Sequence, residues 1–174
     1  ILGSVLLGAM AGNAVAQSPE WKEMEYRDLR ERSASDILQT TVWSAEIKAQ
    51  NDLVEKETRR PLGGRNAWIG ALIQSFDFDG QRLVISVLTS RKCDNGANHF
   101  ASGREPSVCP LKIALVAGGN VRVVAEATGC LLEPPERDAP AIHQHDNVQV
   151  QFDAKQRLVR MRAPPCAKWI LQCV

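Results

Sequence analysis

The three histidines form the pattern in this sequence that is most typical of a metal site. His143 and His145 are separated by one residue, so on a β-strand both imidazoles would point to the same side. Imidazole nitrogens are common zinc ligands, and His99 or Asp146 could supply a third ligand. A closed zinc site needs four ligands, and the chain has only three histidines. A metal-dependent or hydrolytic enzyme that uses His99, His143 and His145 is therefore the alternative hypothesis, and we predict no cofactor.

Cysteine is the second residue type that could do chemistry, and the chain has five, Cys93, Cys109, Cys130, Cys166 and Cys173. In an exported protein they are more typical of disulfides than of metal thiolates, because the compartment is oxidising. Bridges between Cys93 and Cys109 and between Cys166 and Cys173 would close two short loops. Each closure would stabilise the fold by about 2–3 kcal/mol on the chain-entropy model. Cys130 would then be a spare, buried thiol, and other pairings stay open.

Motifs of known catalytic machinery are missing from the sequence. It contains no G-x-S-x-G elbow, no H-E-x-x-H helix and no C-x-x-C redox pair. Asp77 and Asp79 flank one aromatic residue, but two acids at a hairpin tip are typical of turn chemistry. An enzyme is therefore less favoured than a binding protein.

The arginines of one predicted hairpin raise the question of nucleic-acid binding. Arg157, Arg160 and Arg162 could form a basic stripe, which Arg91 and Lys92 would extend. The net charge is only +1, and aromatic residues make up 5% of the chain, with no stacking array beside these arginines. We therefore predict no nucleic-acid partner, and we interpret the arginines as a solvated strand face.

The first sixteen residues have the pattern of a secretory signal peptide. An uncharged apolar run from Ile1 to Ala11 is followed by Ala14-Val15-Ala16, a small-x-small cleavage site. The positively charged start of such a peptide is missing, so we expect segment 1–16 to be a signal peptide truncated at its start. The run is shorter than the roughly 20 residues that a membrane-spanning helix needs. The sequence thus predicts a periplasmic or secreted protein with no membrane span.

Segment 17–64 is predicted to be helical. A charged stretch over 18–32 reads as a solvated helix or arm, and a better helix runs from about Asp36 to Thr58, with Ser33 (in the pattern Ser33-x-x-Asp36) or Ser35 as its cap. Two apolar stripes follow the period of this helix. The first stripe comprises Ile37, Leu38, Thr41, Val42, Ala45, Ala49 and Leu53. The second stripe, which is narrower, comprises Trp43, Ile47 and Val54.

Segment 65–174 is predicted to be an antiparallel β-domain in the same globular unit. Asp79-Gly80 and Gly118-Gly119 are hairpin signals between β-rich runs, and Val148–Phe152 with Arg157–Arg162 forms a third alternating pair. The predicted fold class is α+β. One or two N-terminal helices would pack on a curved, disulfide-tied antiparallel sheet of about five to seven strands.

The favoured function is that of an exported binding module that contacts another protein, such as an envelope component or an inhibitor- or immunity-type partner. The loop Asp94–Val108, which includes His99 and Arg104, is long and polar. A bridge at both its ends would lower the entropy cost of binding. We expect this loop and the second stripe, Trp43, Ile47 and Val54, to form the working surface. The competing explanation is that the second stripe is covered by the domain itself.

Overall fold

The computed structural model describes residues 19–89, 94–95, 106–132, 148–163 and 166–172. Within these residues the chain forms ten β-strands, one π-helical turn and one α-helix, which confirms the predicted α+β class. The helical elements are the π-helical turn (Leu38–Val42) and α1 (Ser44–Thr58). The strands are β1 (Lys22–Glu23), β2 (Glu25–Asp28), β3 (Gly70–Phe78), β4 (Gln81–Thr89), β5 (Asp94–Asn95), β6 (Pro106–Ala117), β7 (Asn120–Leu132), β8 (Gln149–Asp153), β9 (Leu158–Ala163) and β10 (Cys166–Gln172).

The strands form two antiparallel sheets, whereas the sequence predicted a single one. The larger sheet has six strands in the order β2-β3-β4-β6-β5, and β7 pairs with β6 on its other side. The smaller sheet has four strands in the order β1-β8-β9-β10. All three predicted hairpins, β3–β4, β6–β7 and β8–β9, are confirmed by their pairing. A bulge between Ile113 and Ala114 shifts the β6–β7 register by one residue.

The two sheets pack face to face around the first core cluster. The inward positions of β4 and β6, among them Ile85 and Ile113, contact Val150 of β8 and Met161 of β9, and all four side chains are fully buried. Apolar residues therefore alternate with polar ones along β8 and β9, as expected for strands with one buried face.

The N-terminal segment is extended, so of the helix or arm predicted over 18–32 the helix is not formed. β1 pairs with β8 of the smaller sheet, and β2 pairs with β3 of the larger sheet. Met24 lies between the two strands, and its backbone N–H donates to the Val148 carbonyl at 2.9 Å. Met24 is buried and Tyr26 is half-buried, whereas their charged neighbours are exposed. The segment thus follows a two-residue period and links both sheets.

The helical layer covers the opposite face of the six-stranded sheet. It begins after Asp36, whose carboxylate accepts the Leu38 N–H at 2.9 Å, whereas the sequence predicted Ser33 or Ser35 as the cap. The π-helical turn follows, with the Trp43 N–H donating to the Leu38 carbonyl five residues earlier. A π-turn contains one extra residue and so rotates the following helix by about 100° relative to a continuous α-helix.

This rotation decides which stripe faces the core. Trp43 and Ile47 of the second stripe are 0% and 5% exposed, and they pack with Leu38 and Val42 on the sheet. In the first stripe, Ala45, Ala49 and Leu53 are exposed instead. The first stripe is therefore split between core and solvent.

A hydrogen-bonded asparagine pair attaches the loop before β3 to α1. The Asn66 side-chain amide donates to the Leu29 carbonyl at 2.7 Å and accepts from the Asn51 side chain at 3.0 Å. The Asn51 side chain in turn accepts the Ala67 N–H at 2.7 Å. These bonds satisfy polar groups that the packing buries, and they fix the helical layer to the start of β3.

Candidate functional site

The structure places the second stripe in the core, which is the competing explanation that the sequence left open. Trp43 is fully buried and Ile47 is 5% exposed, while Val54 is half-buried. A side chain covered by its own domain cannot be the central contact of a partner in this conformation. The surface predicted from Trp43, Ile47 and Val54 is therefore not present on the folded chain.

Trp43 is held by both polar and apolar contacts. Its indole Nε1–H donates to the Ser86 hydroxyl at 2.9 Å, in a fully buried position. The Lys112 ammonium lies 4.8 Å from the centre of the Trp43 ring, within the range of a cation–π contact. Ser86 and Lys112 face each other across β4 and β6. The residue therefore anchors the helical layer to two central strands at once.

The charged pair beside Trp43 also has a structural role. Lys112 Nζ lies 2.8 Å from Glu46 Oε1 and donates to the Val42 carbonyl at 3.1 Å. The Lys112 and Glu46 side chains are only 11% and 20% exposed, so their charges compensate each other away from bulk water. Glu46 Oε2 is buried with no hydrogen-bond partner in the described part of the chain. The pair joins α1 to β6 and offers no opening to a ligand.

The groups with perturbed pKa values lie together at the edge of the larger sheet. Hydrogen bonds from the Arg30 guanidinium, at 3.0 and 2.8 Å from its Nε, hold the pKa of Asp28 below its usual value. Burial, followed by the charge of Asp28, raises the pKa of Tyr26. Burial is the largest cause of the Tyr26 shift and the Arg30 hydrogen bonds are the largest cause of the Asp28 shift, so neither indicates a catalytic group.

A shallow cleft of about 400 Å³ lies at the tip of the β3–β4 hairpin. Asp77 and Arg82 line it, with the Arg82 Nε 3.5 Å from the Asp77 carboxylate, and both side chains are largely exposed. Asp79 has a positive φ of 47° in the turn itself. Asp79 therefore adopts the backbone conformation that the turn requires, and Asp77 forms an ion pair with Arg82.

The outer face of the four-stranded sheet presents an ordered set of cationic, amide and aromatic side chains. We call it the arginine face and define it by Trp21, Gln149, Gln151, Arg160 and Arg162. The β8 glutamines and the β9 arginines point away from the first core cluster, because the residues between them, such as Val150 and Met161, point into it. The face is thus positioned by the same alternation that builds the core.

Amide oxygens hold both guanidinium groups in place. Arg162 Nε donates to the Gln149 side chain at 2.7 Å, and Arg160 Nη1 donates to the Gln151 side chain at 3.1 Å. Arg160 Nη2 also donates to the Gln156 side chain at 3.2 Å. Gln151 is itself 8% exposed, and its amide donates to the Pro19 carbonyl. These acceptors are neutral, so they orient the arginines without cancelling their charge.

Trp21 completes the face from the N-terminal segment. The Arg162 guanidinium carbon lies 4.3 Å from the centre of the Trp21 ring, which is a close cation–π stack. In the described part of the chain, no acidic side chain forms an ion pair with Arg160 or Arg162. Glu23, which pairs with Gln149 across β1 and β8, and Asp153, which lies two residues beyond Gln151 on β8, are acids on the same side of the sheet. The arrangement is suited to hold an anionic group.

Sequence reasoning noted Arg160 and Arg162 but missed this aromatic partner. The sequence predicts a helix or arm at Trp21, and neither reading places this side chain beside β8. The signal that could have found it is the spacing of Met24 and Tyr26, which alternates with charged residues. Such a short alternating run predicts a strand only weakly when helical charge spacing competes with it.

Several predicted site residues lie outside the described residues. These are His99, Arg104, His143 and His145, together with Cys93, Cys173 and the whole of segment 1–16. Among the described residues, no group of three His, Cys, Asp or Glu side chains is placed to hold a metal ion. In the same part of the chain, no helix combines the length and apolar character that crossing a membrane requires.

Two of the cysteines lie at informative places in the strands. Cys109 is fully buried in β6. Cys166 begins β10, which continues to Gln172, so the ends of this strand are about 20 Å apart at the usual rise per residue. A disulfide needs Cα atoms within about 7 Å, and Cys173 follows Gln172 directly in the chain. The extended strand therefore disfavours the bridge between Cys166 and Cys173.

Comparisons with family models, curated proteins and solved structures found no match to this chain. The functional argument therefore depends on the geometry described above.

Proposed function

We propose that this chain is an exported binding module, periplasmic or secreted, that contacts a partner protein through the arginine face. The observation that carries the proposal is the pair of guanidinium groups on one strand face, both oriented by neutral amides, with the Arg162 group held over the Trp21 ring. Tryptophan and arginine are the residue types most enriched at the energetic centres of protein interfaces. Here they occur together on an ordered surface.

Preorganisation strengthens this proposal. A long arginine side chain loses rotamer entropy when a partner immobilises it, at a cost of about 0.5–1.5 kcal/mol. The Gln149 and Gln151 side chains already restrain Arg162 and Arg160 in the folded chain. Most of the entropy cost of ordering these two side chains therefore arises during folding, before a partner binds.

Export is supported by the signal-peptide pattern of segment 1–16 and by the proposed bridge between Cys93 and Cys109. In the β5–β6 register, Asp94 pairs with Val108. Cys93 precedes Asp94 in the chain and Cys109 follows Val108. The two cysteines therefore flank the described β5–β6 pairing in the sequence, which favours the proposed cross-strand disulfide between them.

The test is a quantitative pull-down from an envelope extract with three forms of the mature protein. The wild type is compared with R160Q/R162Q and with R122Q, which removes one exposed arginine from β7 of the other sheet. Glutamine keeps polarity while removing the charge, so all three forms are expected to melt at similar temperatures.

We expect one partner whose recovery falls roughly tenfold or more with R160Q/R162Q, because two central charged contacts are lost. Its recovery should stay within about twofold for R122Q, which lies off the face. Equal recovery of every partner by all three forms would refute the arginine face as the binding surface.

A further inference from the structure

We propose that the arginine face takes an extended acidic segment of the partner, with carboxylates at every second residue. The inference deepens the proposed function and rests on it. Its basis is the match between the spacing of Arg160 and Arg162 and the repeat of an extended peptide.

Strand geometry sets this spacing. Arg160 and Arg162 are two residues apart on β9, so their Cα atoms are about 6.7 Å apart on the same side of the sheet. Alternate side chains of any extended peptide also share one side and repeat at about this distance. Two carboxylates at positions i and i+2 of such a peptide can therefore each meet one guanidinium.

Both guanidinium groups keep donors for this contact. An arginine has five N–H donors in a planar fork. In the described part of the chain, Arg162 uses one of its nitrogens on Gln149, whereas Arg160 uses two of its nitrogens on Gln151 and Gln156. The remaining N–H groups suit a carboxylate, which accepts paired N–H bonds from arginine at short distance.

Trp21 and Glu23 define the N-terminal side of the face. The Trp21 ring lies 4.3 Å from the Arg162 guanidinium carbon and so covers one side of that group. Glu23, which is exposed and in register with Gln149, repels an incoming carboxylate. Acidic side chains are therefore expected to bind over β9 rather than over β1, and removal of the Glu23 charge should tighten binding.

The same face fits nucleic acid less well. Single-stranded nucleic acid is held by basic grooves lined with aromatic platforms on which successive bases stack. The arginine face has one aromatic ring, and that ring already stacks on Arg162. The charge complementarity therefore favours a peptide, and an oligonucleotide becomes a control in the test.

The experiment titrates the mature protein with a fluorescein-labelled peptide that has glutamate at every second position, at low salt. The matched probe has glutamine at the same positions, and the third probe is labelled oligothymidylate. We expect the glutamate peptide to bind, and R160Q or R162Q to weaken it roughly tenfold each. R122Q should change affinity less than about twofold, E23Q should tighten binding, and added salt should weaken it.

Equal binding of the glutamine peptide would overturn the inference, and so would tighter binding of oligothymidylate than of the glutamate peptide.

The outcomes also distinguish failure of this inference from failure of the proposed function. If R160Q/R162Q loses the partner in the pull-down while the glutamate peptide does not bind, the face is an interface but its ligand is not an acidic strand. If the peptide binds as expected while R160Q/R162Q still captures every partner, the proposed function is refuted.

Discussion

Replacing Trp43 with alanine is expected to lower the free energy of unfolding by about 3–5 kcal/mol. The side chain is fully buried in the second core cluster, so truncation leaves a cavity between the helical layer and β4. It also leaves the buried Ser86 hydroxyl without its indole donor, and removes the ring under the Lys112 ammonium. In a chain of this size the melting temperature should fall by roughly 10 °C.

The chain offers a matched control in Trp68, which is 52% exposed. Trp68→Ala removes the same side chain from the surface, and should change the unfolding free energy by less than about 1 kcal/mol. Urea unfolding of both variants gives the comparison. A Trp43→Ala protein that is as stable as Trp68→Ala would show that Trp43 does not anchor the helical layer. The hypothesis that the second stripe is a binding surface would then be favoured again.

Loss of the proposed bridge between Cys93 and Cys109 is the second large expected effect, at about 3 kcal/mol. That value follows from chain entropy, since 15 residues lie between the two cysteines. C93A/C109A removes the pair without leaving an unpaired buried thiol, and C130A is the control that leaves the bridge intact. The double variant should unfold at clearly lower urea concentration than either the wild type or C130A.

Peptide mapping without reductant identifies the bonded partner of Cys109. On protein recovered from a periplasmic fraction, we expect a linked peptide pair that contains Cys93 and Cys109, and an N-terminal peptide that begins at Gln17. An alkylated, reduced Cys109 or a retained segment 1–16 in the soluble product would contradict the export and redox account.

The hairpins were predictable because each depends on a short stretch of chain. Asp79 and Gly80 both have positive φ values in the β3–β4 turn, and Gly118 and Gly119 do so in the β6–β7 turn. Residues that tolerate this backbone conformation, placed between alternating apolar runs, carry the signal within a few residues.

The orientation of the helix was not predictable from a helical period. The sequence pattern assumes 3.6 residues per turn throughout. The π-helical turn at Leu38–Val42 breaks that assumption and rotates Trp43 and Ile47 into the core. Its cause is tertiary, because the burial of the indole and its bond to Ser86 fix the position of Trp43 on the sheet.

The arginine face was only half predictable for a related reason. Arg160 and Arg162 could be placed on one side of a strand by alternation alone. Gln151 comes from the same predicted hairpin, but Trp21 lies just before β1 and precedes Arg162 by more than a hundred residues in the chain. A pairing between such distant segments leaves no local pattern in the sequence.

Site-specific photocrosslinking tests the central claim, that the arginine face is the binding surface, most directly. p-Benzoylphenylalanine is introduced at Glu23, which is exposed and in register with Gln149 beside the face, and at Leu53 of α1 and Trp68, which are 42% and 52% exposed. Our account predicts a crosslinked partner from position 23 that R160Q/R162Q abolishes, and none from positions 53 and 68. Crosslinks from positions 53 and 68, with none from position 23, would contradict it.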